Sequence, residues 1–177
     1  MKGYYLAPHD TEETIDKEGW LHTGDIGEMD EEGYIKIVDR KKHLFVSSGG
    51  KNIAPAPIEA LISQSKYVEQ VILIGDKRQY CTALLVPDFE NVREYLKTTG
   101  IDGSATEAQL AHDPNVRQLF EEEIEKVQRD VASFERVRKF ALLAEPFSVE
   151  NSMLTPTLKI KRKEVEKRYS DLIESLY

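Results

Sequence analysis

Two apolar runs rich in β-branched residues, Val68–Gly75 and Thr82–Val86, stand on either side of the polar segment Asp76–Tyr80. Runs of this length bounded by a turn are what core β-strands require, so the two are expected to pair, and the rest of the chain has to cover them. Cys81, beside the second run, is expected to pack there as a small hydrophobe. Helical cover is available on both sides in sequence. Pro55 and Pro57 precede the run IEALIS and predict a short helix over about 56–65, because proline in a first helical turn removes only an unpaired N–H. Val92, Tyr95 and Leu96 share a helical face, and a polar loop follows from Thr98 to Ala105. Asp113-Pro114 then supplies a cap and first-turn pair for Val116, Leu119, Phe120, Ile124, Val127 and Val131, which repeat at helical spacing. Phe140–Leu143 reads as a further strand, and Val165, Tyr169, Leu172, Ile173 and Leu176 as a C-terminal helix from about 161.

The first forty residues have a different texture. GDIGEMDEEGYIKIV places apolar stretches on either side of the charged turn Asp30–Gly33, which predicts a β-hairpin. A second hairpin is expected to pair Tyr34–Val38 with His43–Ser47 around the basic segment Asp39–Lys42, leaving that segment exposed and pivotal. Trp20 and Tyr34 are expected in ordinary core packing, with an interdomain or ligand-facing surface as the alternative. The expected architecture is α+β, a small β-sheet with packed helices preceded by a short β-rich segment of another domain, divided near Asp39–Lys42.

With 40% hydrophobic and 32% charged residues, the chain falls among soluble globular proteins. Its formal charge of -8 argues against general nucleic-acid binding, which depends on basic residues neutralising phosphates. Basic residues nevertheless gather near the end: Lys159, Lys161, Arg162, Lys163, Lys167 and Arg168 outnumber Glu164 and Glu166, a concentration able to meet an anionic ligand. The lone Cys81 excludes an internal disulfide and a cysteine zinc cluster, and fits a reducing cytoplasm, the compartment expected. His9, His22 and His112 are scattered, so no metal site is expected. No apolar run approaches the roughly 20 residues that span a bilayer, and the start MKGYYLAPHD lacks a signal-peptide core; peripheral membrane contact stays open.

Three stretches carry possible chemistry, and each alone also reads as an ordinary turn. In WLHTGDIG, Asp25 follows a glycine turn, where a carboxylate can accept two hydrogen bonds from a ribose diol. In GYIKIVDRKKHLFVSSGGKNIAPAPIE, Arg40 offers a planar donor fork, and Gly49-Gly50 lets a backbone approach a ligand closely. In LTPTLKIKRKEV, a proline-containing loop delivers Lys159 just before a helix, where a lysine can stabilise charge on a carboxylate and a phosphate. Glu59 is expected to cap or pack rather than act as an acid or base.

Taken in order, these stretches resemble the adenylate-forming superfamily of acyl-CoA synthetases, luciferases and peptide-synthetase adenylation domains, over essentially the whole chain. GYY with EGWLHTGDIG looks like the end of the large N-terminal domain, GYIKIVDRKK like the interdomain hinge and TPTLKIKR like the terminal lysine motif. The resemblance implies residues 1–39 as the end of the adenylation domain and 40–177 as a mobile C-terminal lid. It implies that Asp25 and Arg40 bind the ATP ribose, that Lys42 is the hinge and that Gly49 and Gly50 admit the pantetheine arm of CoA. Lys159 would be catalytic in adenylation, contacting the carboxylate and α-phosphate. The implied reaction converts carboxylate and ATP to acyl-AMP and pyrophosphate, then CoA to acyl-CoA and AMP, with Mg2+ accompanying ATP and no metal ligands from these residues. Many relatives carry Gly-Lys where this chain has Leu158-Lys159, and TPTLKIKR with GGKNIAP look most like long-chain fatty acid–CoA ligases. His43 stands where many relatives have an acid, so no catalytic role falls to it. The superfamily's upstream phosphate loop is not among these residues. The start at MKGYY, inside a motif by family comparison, therefore points to a piece of a longer ligase that is inactive alone; the alternative is a stand-alone nucleotide-binding or regulatory module.

Overall fold

In the computed structural model, which describes residues 1–101 and 103–177, two units separate by their internal contacts, Met1–Leu44 and Phe45–Tyr177. The first holds helix α1 (Pro8–Thr14) and the hairpin of strands β1 (Asp25–Met29) and β2 (Ile35–Arg40). The hairpin forms where its pattern predicts. The Asp30 carboxylate accepts the N–H groups of Glu32 at 3.0 Å and Tyr34 at 2.8 Å, and Gly33 takes a φ of 87° that favours glycine. The strands pair antiparallel from Asp25↔Arg40 to Met29↔Ile35. Helix α1 is unanticipated: it has no buried residue, and so offers no apolar periodicity to read. Trp20 and Tyr34, expected in a core, are each 70% exposed, because a two-stranded ribbon with one short helix has no second layer to bury them.

The expected second hairpin is not the one that forms. Strand β2 runs on through Arg40, opposite Asp25, and Lys41–His43 coil into a 3-10 turn, so Tyr34–Val38 has no free partner in His43–Ser47. Strand β3 (Phe45–Val46) pairs instead with β4 (Asn52–Ile53). The glycine pair decides this, since Gly50 takes a φ of 73° and its N–H reaches the Ser47 carbonyl at 2.8 Å, while Ser47 Oγ accepts the Lys51 N–H at 3.0 Å.

The second unit is α+β. Helix α2 (Pro55–Ile62) leads into β5 (Val68–Ile74) and β6 (Cys81–Pro87), which pair antiparallel as expected. Helices α3 (Phe89–Thr98), α4 (Glu107–Leu110) and α5 (Pro114–Val127) then carry the chain over to β7 (Val137–Leu142), parallel to β6. The order β5-β6-β7 leaves β6 central and buried along its whole length. Side chains alternate across it. Leu73, Ala83 and Leu85 join Val92, Leu96 and Phe120 on one face, whereas Ile72, Leu84 and Val86 meet Phe147, Met153, Val165 and Ile173 on the other. The second face is covered by α6 (Arg162–Arg168) and α7 (Ser170–Ser175), which replace the single C-terminal helix expected; α5 likewise stops before Val131. Asp102, within the expected polar loop, lies outside the described residues.

Asp113 caps α5 as its sequence position suggests, accepting from the N–H groups of Asn115 and Val116. Cys81 lies within β6, fully buried, and burial pushes its thiol up to about 11. Among the described residues, no helix is long and apolar enough to cross a membrane. Buried Gln128 acts as a piece of strand just past α5: its amide accepts the Val137 N–H at 2.9 Å and donates to the Val137 carbonyl at 3.3 Å. Gln128→Ala strands both groups, so urea denaturation should show a loss of about 1–3 kcal/mol. A loss below about 0.5 kcal/mol would mean that water replaces the amide.

Candidate functional site

Asp25 and Arg40 are cross-strand partners at the open end of the first hairpin. Gly24, with a φ of 72°, turns the chain into β1, and its carbonyl accepts the Lys41 N–H at 2.8 Å. Thr23 Oγ1 accepts the Asp25 N–H at 3.2 Å. The backbone therefore fixes the carboxylate, and Arg40 Nε meets Asp25 Oδ1 at 2.8 Å. An acceptor and a donor fork placed side by side at an exposed strand end suit a neutral polyol edge.

Lys42 is exposed at the centre of the 3-10 turn that follows. That turn is organised by Asp39, the one buried residue among residues 1–44, whose Oδ1 accepts the Arg40 N–H at 2.6 Å and lies 3.5 Å from His43 Nδ1. Nothing in the pattern marks Asp39 for burial, since it stands in a run of charges.

Gly49 and Gly50 cap the β3–β4 hairpin, exposed together. Glycine is required by the backbone at 50 but not at 49, whose φ lies outside the left-handed region and where an added Cβ would meet only Ser47 Oγ at 3.9 Å. The hairpin is clamped by the turn between β5 and β6. Asp76 Oδ1 accepts the Val46 N–H at 3.1 Å, the Val46 carbonyl accepts from Lys77 at 2.9 Å, and the Arg78 carbonyl accepts from Ser48 at 2.9 Å.

Lys159 sits on a second exposed turn of the same unit. Buried Met153 and Leu154 form its stem, where Leu154 bridges Ile160 and the Met153 carbonyl accepts the Lys161 N–H at 2.8 Å. Thr155 closes it by accepting the Lys159 N–H on Oγ1 at 3.0 Å and donating its own N–H to the Lys159 carbonyl at 2.8 Å. Leu158 takes a φ of 60° with its side chain 71% exposed, a left-handed conformation that an L side chain adopts at a cost.

The basic cluster is less free than its charge suggests. Arg168 pairs with Glu145 at 2.7 Å, and this hydrogen bond, followed by that of Asn151, holds the Glu145 carboxyl below the usual carboxylate range. Arg162 pairs with Glu59 at 2.6 Å, leaving Lys159, Lys161, Lys163 and Lys167 as exposed cations. The Glu59 contact joins residues more than a hundred positions apart and has no signal in sequence pattern.

The family model for the AMP-binding enzyme C-terminal domain matches residues 42–177. The chain belongs to this family. Across its whole length it is 41% identical to long-chain-fatty-acid–CoA ligase 5 of Rattus norvegicus and 38% identical to a putative fatty-acid–CoA ligase of Mycobacterium tuberculosis. It covers 26% and 31% of those proteins, and so spans about a quarter to a third of the relatives it matches. Among solved structures, the adenylation domain of a carboxylic acid reductase from Segniliparus rugosus, bound to AMP and a co-purified carboxylic acid, superposes with a TM-score of 0.79. That similarity covers 100% of this chain and 26% of the reductase chain at 29% identity.

Within the AMP-binding C-terminal domain, the left-handed backbone at Leu158 has a measurable consequence. Leu158→Gly should be neutral or stabilising by up to about 1 kcal/mol in urea denaturation, because relief of left-handed strain offsets glycine's entropy. β-Branched Leu158→Val should cost about 1–2 kcal/mol. The reverse order would show that Leu158 is held by packing.

Proposed function

We propose that this chain is the lid, with the adjoining end of the adenylation domain, of an AMP-forming long-chain fatty acid–CoA ligase. The observation that carries the reading is the pair of exposed turns, Gly49-Gly50 and Lys159, on one unit whose family match begins at Lys42. The identity to long-chain ligases over the full chain supports the substrate class. The boundary proposed is 1–39 for the adenylation segment and 40–177 for the lid.

In this reading Asp25 accepts the ribose hydroxyls of ATP while Arg40 donates to the same region. Lys159 contacts the fatty-acid carboxylate and the α-phosphate as acyl-AMP forms, neutralising charge that grows at the reacting centre. Rotation about Lys42 then exchanges this turn for the Gly49-Gly50 turn. Openness at Gly49, which the fold itself does not demand, lets the pantetheine arm pass so that the CoA thiol displaces AMP. The substrates are fatty acid, ATP and CoA, and the ligase works in the cytoplasm or at a membrane surface. The Mg2+ that accompanies ATP is not matched by this chain's residues. The group of metal-type side chains found among the described residues, His9, Asp10 and Glu13, is exposed on α1. The ion would be held by the nucleotide phosphates.

In the complete ligase, Lys159→Ala should abolish most ATP–pyrophosphate exchange, by about a hundredfold or more, while thiolysis of supplied acyl-AMP stays near wild type. Normal exchange would sink the assignment. Lys42→Pro should leave one half-reaction running and slow the other, since proline restricts the φ that a pivot must change. If both keep wild-type rates, Lys42 is not the pivot.

A further inference from the structure

The Glu59–Arg162 contact is more than a salt bridge between helices. Strand β5 is an edge strand, with β6 on one side only. At Leu73 both backbone groups turn outward: the N–H donates to Glu59 Oε1 at 2.7 Å, and the carbonyl accepts from Arg162 Nη1. Arg162 Nη2 closes the loop on the same Glu59 oxygen at 2.6 Å. Glu59 comes from α2 on one face of the sheet and Arg162 from the first turn of α6 on the other, so the pair clasps the two layers around the free edge. Both side chains are mostly buried, at 20% and 26% exposure, and the guanidinium also lies over the Phe45 ring, 5.2 Å from its centroid.

Arg162 follows Lys159 by three residues, at the point where the exposed turn re-enters the fold. The two sides of the turn are already tied by the Leu154–Ile160 bridge and the Lys161 N–H bond to the Met153 carbonyl, and Arg162, the next residue, anchors that stem to the free edge of the sheet. We propose that Arg162, held by Glu59 and the Leu73 carbonyl, is the positioning residue for Lys159 in acyl-adenylate formation; this rests on the adenylation role proposed for Lys159. A rigid guanidinium with two acceptors in fixed directions sets the trajectory of the chain in a way that a single ammonium does not. Arg162 also covers Phe45 at the base of the Gly49-Gly50 hairpin, but that hairpin keeps its own clamp through Asp76, Lys77 and Arg78, so loss of Arg162 should disturb the thiolysis face far less than the Lys159 turn.

The test measures ATP–pyrophosphate exchange and thiolysis of supplied acyl-AMP in the complete ligase carrying Arg162→Ala, Arg162→Lys or Lys159→Ala. Arg162→Ala should lower kcat for exchange about ten- to a hundredfold, the scale of a misplaced catalytic group, with thiolysis within about twofold of wild type. Arg162→Lys, able to meet Glu59 or Leu73 but not both with one fixed geometry, should recover part of the loss. An equal fall in both half-reactions overturns the positioning role. So does unaltered exchange in Arg162→Ala where Lys159→Ala has lost it, and in both cases the lid reading stands. Normal exchange in Lys159→Ala overturns the lid reading and the inference with it. Should Arg162→Ala not fold, Arg162→Met, which keeps an apolar stem beside Phe45 but neither donor, is expected to show the same split and overturns the proposal if it does not.

Discussion

Burial of β6 on both faces is the constraint on which the larger unit depends. A strand whose every side chain is enclosed needs a layer above and a layer below, and the two layers are built from different parts of the chain. Helices α2, α3 and α5 serve one face, and α6 with α7 serves the other. The consequence reaches the two turns proposed to be functional. Phe45 and Ile53, at the base of the Gly49-Gly50 hairpin, belong to the first core, whereas Met153 and Leu154, at the base of the Lys159 turn, belong to the second. Each turn is thus rooted on its own side of one sheet.

That arrangement gives physical content to the proposed lid with two working faces. Close packing makes the sheet and both layers move as a body, so any change that brings one turn forward carries the other with it. The Glu59–Arg162 clasp strengthens this coupling where a three-stranded sheet is weakest, at an edge whose backbone groups lack a strand partner. Half-buried ion pairs of this kind add little net stability once desolvation is counted, and their value lies in fixing one arrangement over others.

Much of the fold was legible because its signals are local. The runs in β5 and β6, the Asp113 cap of α5 and the Asp30–Gly33 turn each need only neighbouring residues to be understood. The difference at Tyr34–Val38 has the opposite cause: β-propensity on both sides of Asp39–Lys42 favours a hairpin there, but Arg40 is committed to Asp25, fifteen residues back. The strands that do form at Phe45–Val46 and Asn52–Ile53 are two residues each, too short for alternation to register. The site divides in the same way. Asp25, Gly50 and Lys159 stand in turn motifs with recognisable chemistry, while Glu59, Arg162 and Asp39 act through burial and long-range partners that periodicity cannot report.

The turn at Lys41–His43 differs from everything that follows it. It is closed by one long hydrogen bond, Leu44 N–H to the Lys41 carbonyl at 3.4 Å, and both flanking residues, Arg40 and Leu44, are extended. Its side chains are exposed, so altering its dihedrals breaks no packing. Asp39 supplies the counterweight: a buried carboxylate bound to the Arg40 N–H and near His43 gives the turn a preferred shape without locking it. A pivot needs that combination, because a segment held by many contacts would resist rotation and one held by none would not return. If Lys42 is the pivot proposed above, the rigid clasp at Glu59–Arg162 and the lightly held turn are complementary requirements, since rotation about one point delivers a side chain accurately only if the body that carries it does not deform.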